Sequence, residues 1–473
     1  MSPLLTPDIC VIGGGTGGLV VAAGCSQLGA STVLIESHRM GGDCLNTGCV
    51  PSKSLLAAAH AAIAYRRAAS FGLEQAAPRI DFARVQQHVR GVIEAIAPND
   101  SEERFIGLGV NVLREQARFT APDEVLAGDT RIRARRFVIA TGSAAFVPPV
   151  PGLADLPYLT NETIFDIERL PDHLLIMGGG PIGCELAQAF VRLGAQVSLV
   201  EMTSILPKDD PELSDVVRRA LLADGVRLHE GHKVVRAAGT GNKITLEIEK
   251  SGSRQTLEGS HLLVAAGRRP RVAGLGLDLA RVAHSDKGIT VDRRLRTSNK
   301  RIFAVGDVLG GPQFTHLAAY HAGIVIRNAL FRLPAKADLS ALPWVTFTDP
   351  ELAHVGLSEA AARATGDIRI LRWPLSENDR AQAEHRHEGF IKVVTSAKGR
   401  ILGADIVGPS AGEMIHLWTL AVSQKMKIGA VAGMIAPYPT LAEIGKRAAG
   451  NYYMAKLFSP GTKRLVRFLA RFG

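Results

Sequence analysis

The chain has 473 residues, 46% hydrophobic and 21% charged, an ordinary globular composition of roughly three domains by length, which excludes a disordered or fibrous protein. Five cysteines are too few for a disulfide-stapled secreted scaffold. The net charge of +10 invites an anionic partner, but aromatics are only 5% and do not interleave with basic residues, so nucleic acid is not expected.

No Lys or Arg precedes Arg39, so the cationic start of a signal peptide is not expected. No apolar run reaches the ~18 residues of a membrane span. These features predict a soluble, cytoplasmic chain.

The first predicted element is a strand over Asp8–Ile12 that enters Gly13-Gly14-Gly15-Thr16-Gly17-Gly18. An Ala-rich helical stretch follows, then a strand over Thr32–Ile35 and the acid Glu36. Next comes Gly41-Gly42-Asp43-Cys44-Leu45-Asn46-Thr47-Gly48-Cys49-Val50-Pro51-Ser52-Lys53. Cysteines at this spacing on a glycine-containing segment can close a small strained ring, which favours an exchangeable disulfide. They could equally be two inert buried thiols or half a metal site, although no two further ligands follow at familiar zinc spacing. Cys10, Cys25 and Cys184 fall on predicted strands or helices and read as buried hydrophobes.

Phe137–Gly142 reads as a further strand and turn, and Pro148, Pro149 and Pro151 mark a boundary. A second strand–turn–helix copy then begins at His173–Met177, with Gly178-Gly179-Gly180-Pro181-Ile182-Gly183, and ends at Val197–Val200 and Glu201. In both copies the acid comes 23 residues after the first glycine. One such motif is weak evidence, but two with matching context and offset are strong. The first glycine (Gly13, Gly178) permits the tight turn, the second (Gly15, Gly180) lets backbone approach a pyrophosphate, and the third (Gly18, Gly183) lets helix and strand pack. Two dinucleotide sites imply electron transfer between two dinucleotides.

Leu262–Gly267 and Ile302–Asp307 fit two more strands, and a boundary lies near Leu333-Pro334-Ala335-Lys336. Beyond it, strands over Trp344–Phe347, Phe390–Val394 and Ile401–Val407 mix with helices, which predicts an α+β domain.

From Asp8 to about Tyr453 the chain resembles the class I flavoprotein pyridine nucleotide-disulfide oxidoreductases, which include dihydrolipoamide dehydrogenase and mercuric reductase. The most specific element is the segment Cys44 to Lys53. The resemblance implies an α/β fold with two Rossmann-like dinucleotide-binding domains and a C-terminal α+β dimerisation domain. It divides the chain into FAD-binding parts at 1–150 and 273–336, an NAD-binding domain at 151–272, a dimerisation domain at 337–460 and a tail at 461–473. Gly13, Gly15, Gly18 and Glu36 would hold FAD, together with Gly42, Lys53, Thr141, Gly142, Asp307, Thr315 and His316. Gly178, Gly180, Gly183, Glu201 and Gly267 would hold the nicotinamide cofactor. Cys49 would be the flavin-side thiol and Cys44 the interchange thiol, with Lys53 and Glu185 as an ion pair beside the flavin. A carboxylate at Glu201, with no Arg directly after it, favours NADH over NADPH.

The family's disulfide-specific members carry a C-terminal His-Pro-Thr-x-x-Glu segment, whose histidine is a general base. Here the stretch is Tyr438-Pro439-Thr440-Leu441-Ala442-Glu443. The acid Glu443 is kept, but a phenol with a pKa near 10 is a poor base at neutral pH. Mercuric reductases also carry tyrosine here, although this chain has no cysteine after Cys184. The resemblance implies a homodimer in which Tyr438 and Glu443 face Cys44 of the partner subunit. His321 and His416 are read as core or solvated histidines rather than replacement bases.

In the tail, Thr462–Gly473, Lys463, Arg464, Arg467 and Arg471 alternate at helical spacing with Leu465, Val466, Phe468, Leu469 and Phe472. This predicts a basic amphipathic helix, packed on its own dimer or lying on a membrane surface or acidic partner. The leading expectation is an NADH-linked, FAD-dependent disulfide oxidoreductase of the dihydrolipoamide dehydrogenase type, acting on a small disulfide and with no metal site of its own. The alternatives are a mercuric or other metal-ion reductase and a flavin redox sensor or membrane-docked interaction protein.

Overall fold

Parallel strands covered on both faces read as continuous apolar runs, and Ile9–Ile12 and Thr32–Ile35 are buried at every position. The computed structural model describes residues 3–74, 78–241 and 243–472. Those residues form two compact units, Met1–Met202 with Arg227–Asp338, and Thr203–Val226 with Leu339–Gly473.

The first unit holds two parallel sheets. One has five strands in the order Ile302–Ala304, Arg136–Ile139, Ile9–Ile12, Thr32–Ile35 and Val110–Leu113. The other has four, ordered Arg227–Glu230, Gln196–Glu201, His173–Met177 and His261–Val264. In each, a glycine turn joins a central strand to a helix, Thr16–Gln27 in the first and Pro181–Arg192 in the second. Ligands of such sheets bind at the carboxyl ends of the strands, where the strand order reverses. Both glycine turns lie at that edge.

The second unit is built on a five-stranded antiparallel sheet, ordered Pro343–Thr346, Glu351–Gly356, Ile401–Gly408, Phe390–Ser396 and Ile368–Pro374. Helix Ala411–Ser423 packs on it through the fully buried Trp418. Residues 203–226, within the expected NAD-binding range, pack with this unit. Part of the attachment is electrostatic, between segments remote in the chain. Buried Lys392 donates to Asp210 Oδ2 at 2.6 Å, Glu212 Oε1 at 3.0 Å and Glu359 Oε2 at 3.3 Å. Arg372 also pairs with Glu212. Two acids at the start of helix Pro211–Asp224 are thereby fastened to the sheet.

The tail helix spans Pro460–Leu469, starting before the expected Thr462; Gly473 lies outside the described residues. Ser459 sets its start by accepting from the Thr462 amide, with Pro460 at the first helical position. Among the described residues no helix is long and apolar enough to cross a membrane.

Candidate active site

The two glycine turns have nearly the same backbone. Gly13 and Gly178 sit at φ +110° and +114°, where a side chain is strained. A Cβ on either would strike a carbonyl of the neighbouring strand end, Ala140 or Ala265, and one on Gly18 or Gly183 would strike the first glycine's own carbonyl. Gly15 and Gly180 cap their helices in extended conformation without any side-chain cap, so the first amides of each helix remain for another acceptor. A Cβ on Gly180 would meet no described atom within 4 Å. That bare backbone beside a helix N-terminus fits a pyrophosphate. Glu36 and Glu201 hold the turns from the next strand: Oε2 accepts from Gly14 N at 2.5 Å and from Gly179 N at 2.7 Å, respectively.

The cysteine segment is laid against the first turn. Gly41 N donates to Gly14 O at 2.9 Å, and a Cβ on Gly42 would come within 2.7 Å of Gly15 Cα. Cys44 lies on the short helix Gly42–Asn46, and Cys49 opens the long helix Cys49–Arg67. Both thiols are free, Cys44 half-buried and Cys49 exposed, and they share a hydrogen bond. Thr315, the first residue of helix Thr315–Leu330, reaches Cys49 Sγ with its hydroxyl at 3.2 Å. The hydrogen bond from Cys44, with help from Thr315 and the Lys53 charge, overcomes burial and pulls the Cys49 thiol down to about 6. The same bond, burial and the neighbouring charge push Cys44 well up. The pair is thus divided into a thiolate at Cys49 and a thiol at Cys44.

Lys53, one helical turn beyond Cys49, donates to Glu185 Oε2 at 2.8 Å. Glu185 is buried on the helix that follows the second glycine turn. The ion pair therefore joins the redox helix to the second nucleotide unit.

Asp307 is held by Ser143, whose hydroxyl donates to Oδ2 at 2.7 Å, and burial raises its carboxyl. Arg268 donates to Ser143 Oγ at 2.7 Å and pairs with Asp43; Arg271 donates to Glu162 at 2.8 Å. Sequence reading passed over this polar network. Arg268 directly follows Gly267, and Asp43 lies inside the cysteine segment, and those positions were the only signal. Thr141 donates to Arg271 O at 2.8 Å, and Gly142 and Gly267 take positive φ. His316 is exposed and its ring stacks on Phe314.

In the second unit, Tyr438 Oη donates to Asp379 Oδ2 at 2.7 Å, which holds the phenol above its ordinary range. Glu443 pairs with Arg447 at 2.8 Å. The tyrosine's partner is thus an acid sequence reading did not single out. His321 Nδ1 accepts from Gly306 N, and burial lowers the ring to about 4, so it is a neutral acceptor. His416 is exposed and bonds within its own helix turn, to Gly412 O or Glu413 O. Cys10, Cys25 and Cys184 are buried, and burial raises the Cys10 and Cys25 thiols. Among the described residues no cluster of three or more His, Cys, Asp or Glu could hold a metal ion.

A family profile described as pyridine nucleotide-disulphide oxidoreductase matches residues 7–322, and the dimerisation domain of that family matches residues 342–449. A mercuric reductase of Bacillus cereus is 34% identical over 92% of this chain and 70% of its own. A dihydrolipoyl dehydrogenase of Thermus scotoductus is 37% identical over 93% of this chain and 95% of its own. The solved structure described as a Cu(II) complex of the HOCl-induced flavoprotein disulfide reductase RclA from Escherichia coli is 27% identical, with a TM-score of 0.83 over 93% of this chain and 98% of that one.

Proposed function

The chain belongs to the pyridine nucleotide-disulphide oxidoreductases, a family that binds FAD and a nicotinamide cofactor, and from that premise we propose that it is an NADH-linked flavoprotein reductase whose acceptor is a thiol-bound soft metal ion. Gly13, Gly15, Gly18, Glu36 and Asp307 would hold FAD; Gly178, Gly180, Gly183 and Glu201 would hold NADH. FAD, when bound, supplies a two-electron relay between the nicotinamide and the Cys44–Cys49 disulfide.

The observation that carries this reading is the bond from Tyr438 to Asp379. Turnover of a disulfide substrate needs a base that takes and returns the thiol proton near neutral pH. A phenol raised above its ordinary value and already donating is unsuited to that task. A thiol-bound cation needs no such base, because the carrier thiolate it leaves behind takes up the Cys44 proton as the cation passes to Cys44, and thiolates are its preferred ligands. Cys49, held as thiolate by Cys44, Thr315 and Lys53, would supply the second ligand. Two thiolates then become the disulfide while the cation takes up two electrons. In a homodimer of the family's kind, Tyr438 would face Cys44 of the partner subunit and shape this site.

The deciding measurement is steady-state NADH oxidation with lipoamide, glutathione disulfide, thiol-complexed Hg(II), Cu(II) and a quinone as acceptors. A metal ion should turn over fastest. Fastest turnover of lipoamide would return the chain to the dihydrolipoamide dehydrogenase type.

A further inference from the structure

The last helix is unused by any of the chemistry above, and nothing among the described residues of its own unit buries it. None of Pro460–Leu469 is buried, and Leu465, Val466, Phe468, Leu469 and Phe472 are each more than half exposed. Turn-type bonds from Ala470, Arg471 and Phe472 back to Val466, Phe468 and Leu469 extend the coil to its end. At 3.6 residues per turn these five apolar side chains fill an arc of about 160°, and Lys463, Arg464, Arg467 and Arg471 fill an opposite arc of about 100°. The preceding helix Glu443–Leu457 adds exposed Tyr453, Met454 and Leu457, and Phe458 follows it. No Asp or Glu follows Glu443, whereas Lys446, Arg447, Lys456 and the four tail cations do.

We propose that this helix docks the protein on an anionic lipid surface. The apolar arc would enter the boundary between headgroups and acyl chains while the cations meet lipid phosphates. Thirteen residues, 460–472, span about 20 Å, less than the ~30 Å hydrocarbon core, so the helix lies in the plane and does not cross. Charge decides between this occupant and a second copy. Pairing two copies through the apolar arc would leave the four cations of each helix on the outer side, with no acid after Glu443 to meet them. A bilayer rich in anionic lipid offers apolar depth and negative charge at once. The inference is independent of which acceptor the enzyme reduces.

The test is co-sedimentation of the FAD-loaded full chain with vesicles of phosphatidylcholine alone or mixed with phosphatidylglycerol. The bound fraction should be at least about tenfold higher on the anionic vesicles and should fall in high salt. It should be lost in Arg464→Glu with Arg467→Glu and in Leu465→Ser with Leu469→Ser, and kept in Arg464→Lys with Arg467→Lys. Flavin reduction by NADH should be unchanged in every variant, which separates this result from the acceptor question. Equal sedimentation with both vesicle types, or none, would overturn the proposal. So would a fall in oligomer mass, by light scattering, in the Leu465→Ser, Leu469→Ser variant, because a second copy would then be the occupant.

Discussion

Tyr438 and Asp379 are joined by a 2.7 Å hydrogen bond in which the phenol is the donor. Asp379 opens the short helix Asp379–Ala383, and the neighbouring Asn378 amide donates to Thr440 O at 3.0 Å. One corner therefore holds the whole Tyr438–Thr440 turn, and it fixes the hydroxyl as a donor.

Replacing that donor by a base should change which acceptors the protein uses. Tyr438→His is expected to raise lipoamide-dependent NADH oxidation at least about tenfold, within the range a positioned general base contributes. Anaerobic flavin reduction by NADH should not change. Lipoamide turnover that is already high in the parent and unmoved in the variant would refute the argument from the missing base.

The divided cysteine pair predicts a pH profile. Cys49 has its thiol lowered to about 6, so thiolate is present above that value and is lost as the pH falls through it. In the NADH-reduced protein, the long-wavelength thiolate–flavin absorbance should therefore titrate away below about pH 6, in keeping with that lowered thiol pKa. Lys53→Met removes a cation that lowers the thiol, and should move the midpoint upward. A midpoint unmoved by this change would show that Lys53 does not act on Cys49.

Lys392 is nearly inaccessible and bonds to Asp210, Glu212 and Glu359. Lys392→Met should destabilise the second unit by about 3 kcal/mol, because half-buried Asp210 loses its partner. Burial alone would lower the ammonium, but Asp210 and Glu212 raise it above its ordinary value. Its contribution is therefore complete at neutral pH and lost only as the pH climbs through the raised value. Thermal denaturation of parent and variant at neutral pH checks this, and equal midpoints would contradict it.

Glu201 is the position where the nicotinamide cofactor should be chosen. Its carboxylate accepts from Gly179 N, and no Arg follows it in Met202-Thr203-Ser204. NADH should have the higher kcat/KM, and Glu201→Gln should narrow its lead over NADPH by about tenfold or more, since a 2′-phosphate no longer meets a carboxylate. A parent that prefers NADPH would overturn the assignment.

The two strand–turn–helix units, the acid 23 residues after each first glycine and the Cys44–Cys49 segment were legible because each answers a local demand. A positive φ, a missing Cβ or a short loop between thiols constrains single residues and leaves its mark in the order of the chain. The pairings that give those residues their chemistry join distant segments. Thr315 meets Cys49 across 266 positions, Glu185 meets Lys53 across 132, and Asp379 meets Tyr438 across 59. The resemblance implied the second of these and missed the last, along with the Arg268–Asp43–Ser143 network and the attachment of residues 203–226 to the C-terminal unit. Hydrogen bonds and ion pairs between remote elements depend on which faces the packed sheets and helices bring together. Amino-acid order therefore determined that two nucleotides and a thiol pair are expected here. Packing alone decided which thiol carries the charge and which acid holds the tyrosine.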